Sequence, residues 1–142
     1  MKAIKSAVAF VIYNKDKTKI LTVQRPENDE DLPNVWGLPA GSLKDKESFE
    51  EAVLRSGKEK LGVKLKIIKL INEGKLERDK IVLHMKEYEV AIEEGKPNVP
   101  QKVSGITQYQ KLNWSSPEKL KDAAQEGSLC SRLYLSSIGQ SW

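Results

Sequence analysis

Residues 41–63 hold the side chains best suited to chemistry in this chain: Glu47, Arg55 and Glu59, with Glu50 and Glu51 nearby and Lys60 beside Glu59. Several carboxylates brought together are what a hard, oxygen-seeking divalent cation needs, and one alone is seldom enough. The same residues have a plainer reading. Glu47, Glu51, Arg55 and Glu59 recur at i, i+4 spacing, as in a solvated ion-pair stripe on a helix, and that reading is adopted for Glu51. Lys60 brings the opposite sign, because an ammonium repels metal ions and attracts phosphate.

The elements that must position these groups follow from pattern. Residues 48–61 read as the best helix, with Phe49, Ala52, Val53 and Leu61 at helical spacings and Gly62 as its stop. Residues 3–13 and 19–24 are β-like and separated by a short polar stretch, so a hairpin is expected. Residues 25–34 are loop, and structure resumes at 35–38. Two further strands are expected at 63–71 and 80–90, a loop at 95–105 and a last strand at 109–114. Ser116 and Pro117 open a helix that ends near Gly127, and 129–138 forms a final short helix.

With 142 residues, 39% hydrophobic and 31% charged, the chain reads as one globular domain spanning 1–142. A net charge of +4 favours anionic partners. The lysines are dispersed and seldom alternate with aromatics, so a nucleic-acid groove is not expected. Cys130 is the only cysteine, which points to a reducing, cytoplasmic setting, and no apolar run is long enough to span a bilayer. The apolar run at 7–13 reads as a strand rather than a leader.

Taken from Trp36, the segment WGLPAGSLKDKESFEEAVLRSGKEKLGV resembles the Nudix box, G-x5-E-x7-R-E-U-x-E-E-x-G-U, where U is aliphatic. Six of its nine specified positions match: Gly41, Glu47, Arg55, Glu59, Gly62 and Val63. The resemblance implies the α/β Nudix fold, an α/β/α sandwich with a mixed sheet. It also implies Mg²⁺ or Mn²⁺ held against the diphosphate of a nucleoside diphosphate-linked compound, which water then cleaves. Carried onto this chain, Glu59 and the Ala40 carbonyl are the metal ligands, and Arg55 and Glu47 organise the loop and helix. Gly41 is expected to supply unusual backbone dihedrals. Arg25 stands where a basic residue meets substrate phosphate, a contact a guanidinium suits, although a surface arginine reads equally well. Trp36 is a candidate to stack on a base, against a core reading. His84 reads as structural.

Three positions depart from the box. The family's closing glutamates sit at i, i+3 and i+4 on one helix face, and here those positions are Ser56, Glu59 and Lys60. Gly57 stands where an aliphatic residue would pack, and glycine inside a helix costs on the order of 1 kcal/mol against alanine. The stretch 104–110, where a further acid is often drawn from, contains none. Two functions remain: a Nudix pyrophosphohydrolase of a nucleotide, weakened at its metal site, with Lys60 turned to the substrate; or a non-catalytic Nudix-fold module that binds a nucleotide or a protein partner.

Overall fold

A computed structural model describes residues 2–29 and 32–142; Glu30 and Asp31, within the expected loop at 25–34, lie outside the described residues. The central strand is β1 (Ala3–Ile12), and from Ala7 onward each of its residues is buried. Both faces are covered because β1 alternates between two cores. Val8, Phe10 and Ile12 pack on one side with Ala52, Val53 and Leu61, whereas Ala7, Ala9 and Val11 pack on the other with Leu129, Leu133 and Tyr134. A helix therefore lies on each face, and the sandwich follows from period-two alternation in a doubly buried strand.

The elements after β1 are β2 (Ile20–Gln24), β3 (Trp36–Gly37), β4 (Ala40–Ser42), α1 (Phe49–Ser56), β5 (Lys64–Glu77) and β6 (Ile81–Glu94). Then come β7 (Lys102–Val103), β8 (Ile106–Thr107), β9 (Lys111–Ser115), α2 (Lys121–Gln125) and α3 (Leu129–Ser137). The main sheet runs β4-β1-β6-β5 and is mixed, with β1 parallel to β6 and the other pairs antiparallel. A second sheet runs β3-β2-β9, all antiparallel, and β7 and β8 form a small hairpin that starts in the expected loop at 95–105 and ends just beyond it.

The expected β1–β2 hairpin is corrected: only a single bridge, Tyr13 to Ile20, joins them. Both edges of β1 are already taken, by β4 and β6, so β2 must find its partners in β3 and β9. Strands β5 and β6 extend well beyond the expected 63–71 and 80–90: residues 72–77 pair with 82–87, which β1 flanks on the other edge, and residues 64–66 pair with the far end of β6 at 91–94. The helix expected up to Gly127 splits into a 3₁₀ turn (Pro117–Leu120) and α2. Gly127 then turns the chain with φ 105°, and the Ser128 hydroxyl caps α3. Among the described residues no helix is long and apolar enough to cross a membrane.

α1 begins with a reciprocal cap that the sequence spells as Ser48-x-x-Glu51: the Ser48 hydroxyl accepts from the Glu51 N–H, and the Glu51 carboxylate accepts from the Ser48 N–H. After Ser56 the helix widens into a π turn (Gly57–Leu61), and Gly62 stops it in the left-handed region at φ 70°.

Candidate functional site

The loop from β4 to α1 and the π turn after α1 face one another, and Arg55 ties them together. Its guanidinium donates to both Glu47 oxygens, at 2.8 Å from Nε and 2.9 Å from Nη2. Nη1 donates to Glu59 at 2.9 Å, and Nη2 also reaches the Ser42 carbonyl at 2.7 Å. A fixed fork of donors suits this bidentate arrangement. The Arg55 bond holds the Glu47 carboxyl down at about 2, and Glu47 pushes the guanidinium's own value further up. Arg55, Glu47 and Glu59 are thus brought together, as an ion-paired brace.

Glu51 and Glu50 are also engaged. Glu51 belongs to the helix cap and so is not part of the Arg55 stripe expected of it. Glu50 accepts from the Tyr88 hydroxyl at 3.0 Å, and burial, followed by that contact, pushes the phenol up to about 12.

Ser56 and Lys60 lie on the side toward β4. Lys60 Nζ donates to the Ala40 carbonyl and lies 5.5 Å from the centroid of the Tyr109 ring. The Tyr109 hydroxyl accepts from the Ala40 N–H at 2.9 Å and donates to its carbonyl at 3.1 Å. Ser56 is fully buried, and its hydroxyl has no hydrogen-bond partner. Gly41 is in β4 opposite Val8 and is not left-handed, so the expected dihedral requirement is corrected. Its requirement is space, since a Cβ there would run into the Ser56 hydroxyl. We expect Gly41→Ala to destabilise the fold in chemical denaturation and Ser56→Ala to rescue part of the loss. Ser56→Ala alone should be neutral or stabilising by up to about 1–2 kcal/mol, because it removes a buried unpaired hydroxyl. A strongly destabilised Ser56→Ala protein would show that the hydroxyl has a partner.

Lys60, Ala40 and Tyr109 form part of the wall of a cleft of about 660 Å³. Lys5, Arg25 and Arg78 add three more cationic side chains, and Ala7, Leu83 and Met85 give it an apolar stretch. Arg25 reaches the cleft from the end of β2, paired with Asp29 at 3.4 Å. Trp36 does not line this cleft; it borders two other surface depressions, with Lys119 Nζ 5.0 Å from its ring centroid. His84 bonds Glu73 at 2.6 Å and meets Phe49 edge-on, a structural arrangement. Sequence reasoning missed Tyr109, Arg78 and Lys5. Tyr109 lies in the very stretch searched for an acid, and Arg78 lies in the polar turn between two strand patterns.

The donor set does not fit the divalent ion that the resemblance implies. The Ala40 carbonyl is bonded to an ammonium, Glu59 and Glu47 are bonded to Arg55, and Ser56 offers no carboxylate. Among the described residues no three His, Cys, Asp or Glu side chains come together to hold a metal ion.

A mixed sheet between helices, with a brace of arginine and glutamates at the β4–α1 loop, is the arrangement the Nudix box specifies. The NUDIX domain profile matches residues 3–132, and the chain belongs to the Nudix family. Solved structures agree on the fold. A MutT protein from Methanosarcina mazei Go1 is 20% identical, with TM-score 0.69 over 96% of this chain and 91% of that one. A NUDIX hydrolase from Nitrosomonas europaea is 18% identical, with TM-score 0.70 over 94% and 85%. An ADP-ribose pyrophosphatase from Streptococcus suis 89-1591 is 20% identical, with TM-score 0.59 over 97% and 95%. No curated protein gives a significant match.

Proposed function

We propose that this Nudix domain binds the phosphates of a small nucleotide in the cleft and hydrolyses it weakly or not at all. The observation that carries the reading is the exchange of charge at the site. Lys5, Arg25, Lys60 and Arg78 line the cleft, while Glu47 and Glu59 are withdrawn onto Arg55. Cations clustered on low-dielectric walls attract phosphate, and carboxylates already bonded to a guanidinium are poor metal ligands. The relatives named MutT and ADP-ribose pyrophosphatase support a nucleotide as the ligand class.

The hydrolase reading needs Glu59 and the Ala40 carbonyl to release their protein partners and hold Mg²⁺ or Mn²⁺. Family membership favours it, and the contacts of both groups oppose it. A panel of nucleoside triphosphates, dinucleoside polyphosphates and nucleotide sugars decides between the two. We expect calorimetric binding of at least one, reduced about tenfold by Arg25→Ala, a change worth roughly 1.4 kcal/mol. Phosphate release with Mg²⁺ should stay at the level of a Glu59→Gln control. Mg²⁺-dependent turnover that Glu59→Gln abolishes would establish the hydrolase instead.

A further inference from the structure

Lys60 does more than delete a carboxylate from the motif. Its ammonium is held by the Ala40 carbonyl and stands over the face of Tyr109, two groups that attract positive charge. Tyr109 in turn clasps Ala40 through both its N–H and its carbonyl, so the seat beneath the ammonium is itself fixed. An ammonium has three donors, and the Ala40 bond uses one. The head group also belongs to the wall of the cleft, together with Lys5, Arg25 and Arg78.

We propose that the Lys60 ammonium is a tethered cation standing in for a divalent ion, and that the cleft takes the metal-free form of a di- or triphosphate. The inference rests on the reading that this cleft binds phosphate. It has a second support in the residues that would have to cooperate with a metal. Ser56 is a buried, partnerless hydroxyl, and Glu47 and Glu59 are both bonded to Arg55. An incoming divalent ion would have to displace the ammonium from Ala40 and would find Glu47, Glu50, Glu51 and Glu59 each bonded to another protein group. Divalent cations in solution therefore oppose binding, because they complex the phosphate ligand and carry like charge toward Lys60.

The test uses ADP as the probe, titrated by calorimetry at constant ionic strength, once in EDTA and once with saturating Mg²⁺. We expect binding about tenfold or more tighter in EDTA. Loss of a charge-assisted contact in Lys60→Met should weaken it there by about ten- to a hundredfold. Mn²⁺ added to the protein alone, followed by electron paramagnetic resonance, gives an arm that needs no nucleotide. The wild-type protein should leave the free-ion signal unchanged, and the Ser56→Glu/Lys60→Glu variant should diminish it; Lys60→Glu alone serves if the double variant fails to fold. Tighter ADP binding with Mg²⁺, or Mn²⁺ binding by the wild-type protein that Glu59→Gln removes, would overturn the proposal. If ADP fails to bind under both conditions the phosphate reading falls. The Mn²⁺ arm then still decides whether Lys60 holds the cation's place.

Discussion

Replacing Glu87 with leucine raises the melting temperature at pH 8, and the gain fades toward pH 4. Glu87 lies in β6, in register with Ala9 and Asn72, with none of its surface exposed and no partner for either carboxyl oxygen. Burial pushes its carboxyl well above the ordinary carboxylate range. Burial first, and the nearby Glu87 carboxyl after it, push the Cys130 thiol and the Tyr134 phenol of α3 up, and Arg25 acts on Cys130 in the opposite sense. In the folded protein burial keeps the acid neutral to higher pH, while in the unfolded chain it ionises above about 4.5. Its contribution is therefore fully present below that pH and shrinks as pH rises toward the folded value. Leucine removes both the titration and the buried unpaired polar group, which alone costs on the order of 1–3 kcal/mol. That is roughly 3–12 °C in Tm for a domain of this size. Glu87→Gln tests the cause, since it keeps the shape and flattens the pH dependence. Melting curves from pH 4 to 8 that run parallel for wild type and Glu87→Leu would show the carboxyl to be partnered. Glu47 acts in the other direction: Arg55 lowers its value to about 2, so its contribution is complete above about 4.5 and is lost as pH falls toward 2.

Gly57→Ala is expected to destabilise the fold by about 1–3 kcal/mol, against the gain of about 1 kcal/mol that helix propensity alone assigns to it. Gly57 is buried, and a Cβ there would meet Leu65 Cδ1 at 2.5 Å and Cγ at 2.6 Å. Leu65 is itself 3% exposed, and its Cγ is not a free end that can swing aside. The space an aliphatic residue would take at position 57 is filled from β5. Leu65→Ala in the Gly57→Ala background should recover part of the loss, with both read as urea midpoints. A Gly57→Ala protein more stable than wild type would mean that β5 yields easily and that the propensity argument governs.

Much of the fold was legible because its causes are local or periodic. The spacing from Gly41 to Val63 carries the family, the helix stop at Gly62 is a backbone requirement, and alternation marks the strands. The pairing of β2 was not legible, since it depends on which edges of β1 are already occupied. At the site, the sequence shows that Ser56, Gly57 and Lys60 break the motif, but not where Lys60 goes. Its destination is a carbonyl on β4 held by a tyrosine from just before β9, two partners that only the tertiary fold brings within reach. Tyr109 is not legible because the family pattern for that stretch specifies a carboxylate, and a lone tyrosine before a strand carries no signal of a backbone partner on β4. Nor is Glu87, because a charged residue in a strand reads as its solvent face, whereas here both faces of β6 are covered at that point.

Strand β5 forms one edge of the main sheet, and along it Ile68 and Leu70 are exposed. A long, flat, apolar edge is a template on which further chains can add, strand by strand, into aggregates. This edge is neither flat nor neutral. Its register slips between Lys64 and Leu65, Ile67 and Lys69, and Leu70 and Asn72, and Lys64, Lys66 and Lys69 line the same stretch. Irregular backbone offers an incoming strand no continuous run of donors and acceptors, and each lysine would be brought against its counterpart in an identical chain. The irregularities of β5 thus act as a guard on solubility, letting the longest open edge of the sheet stay open in a crowded solution.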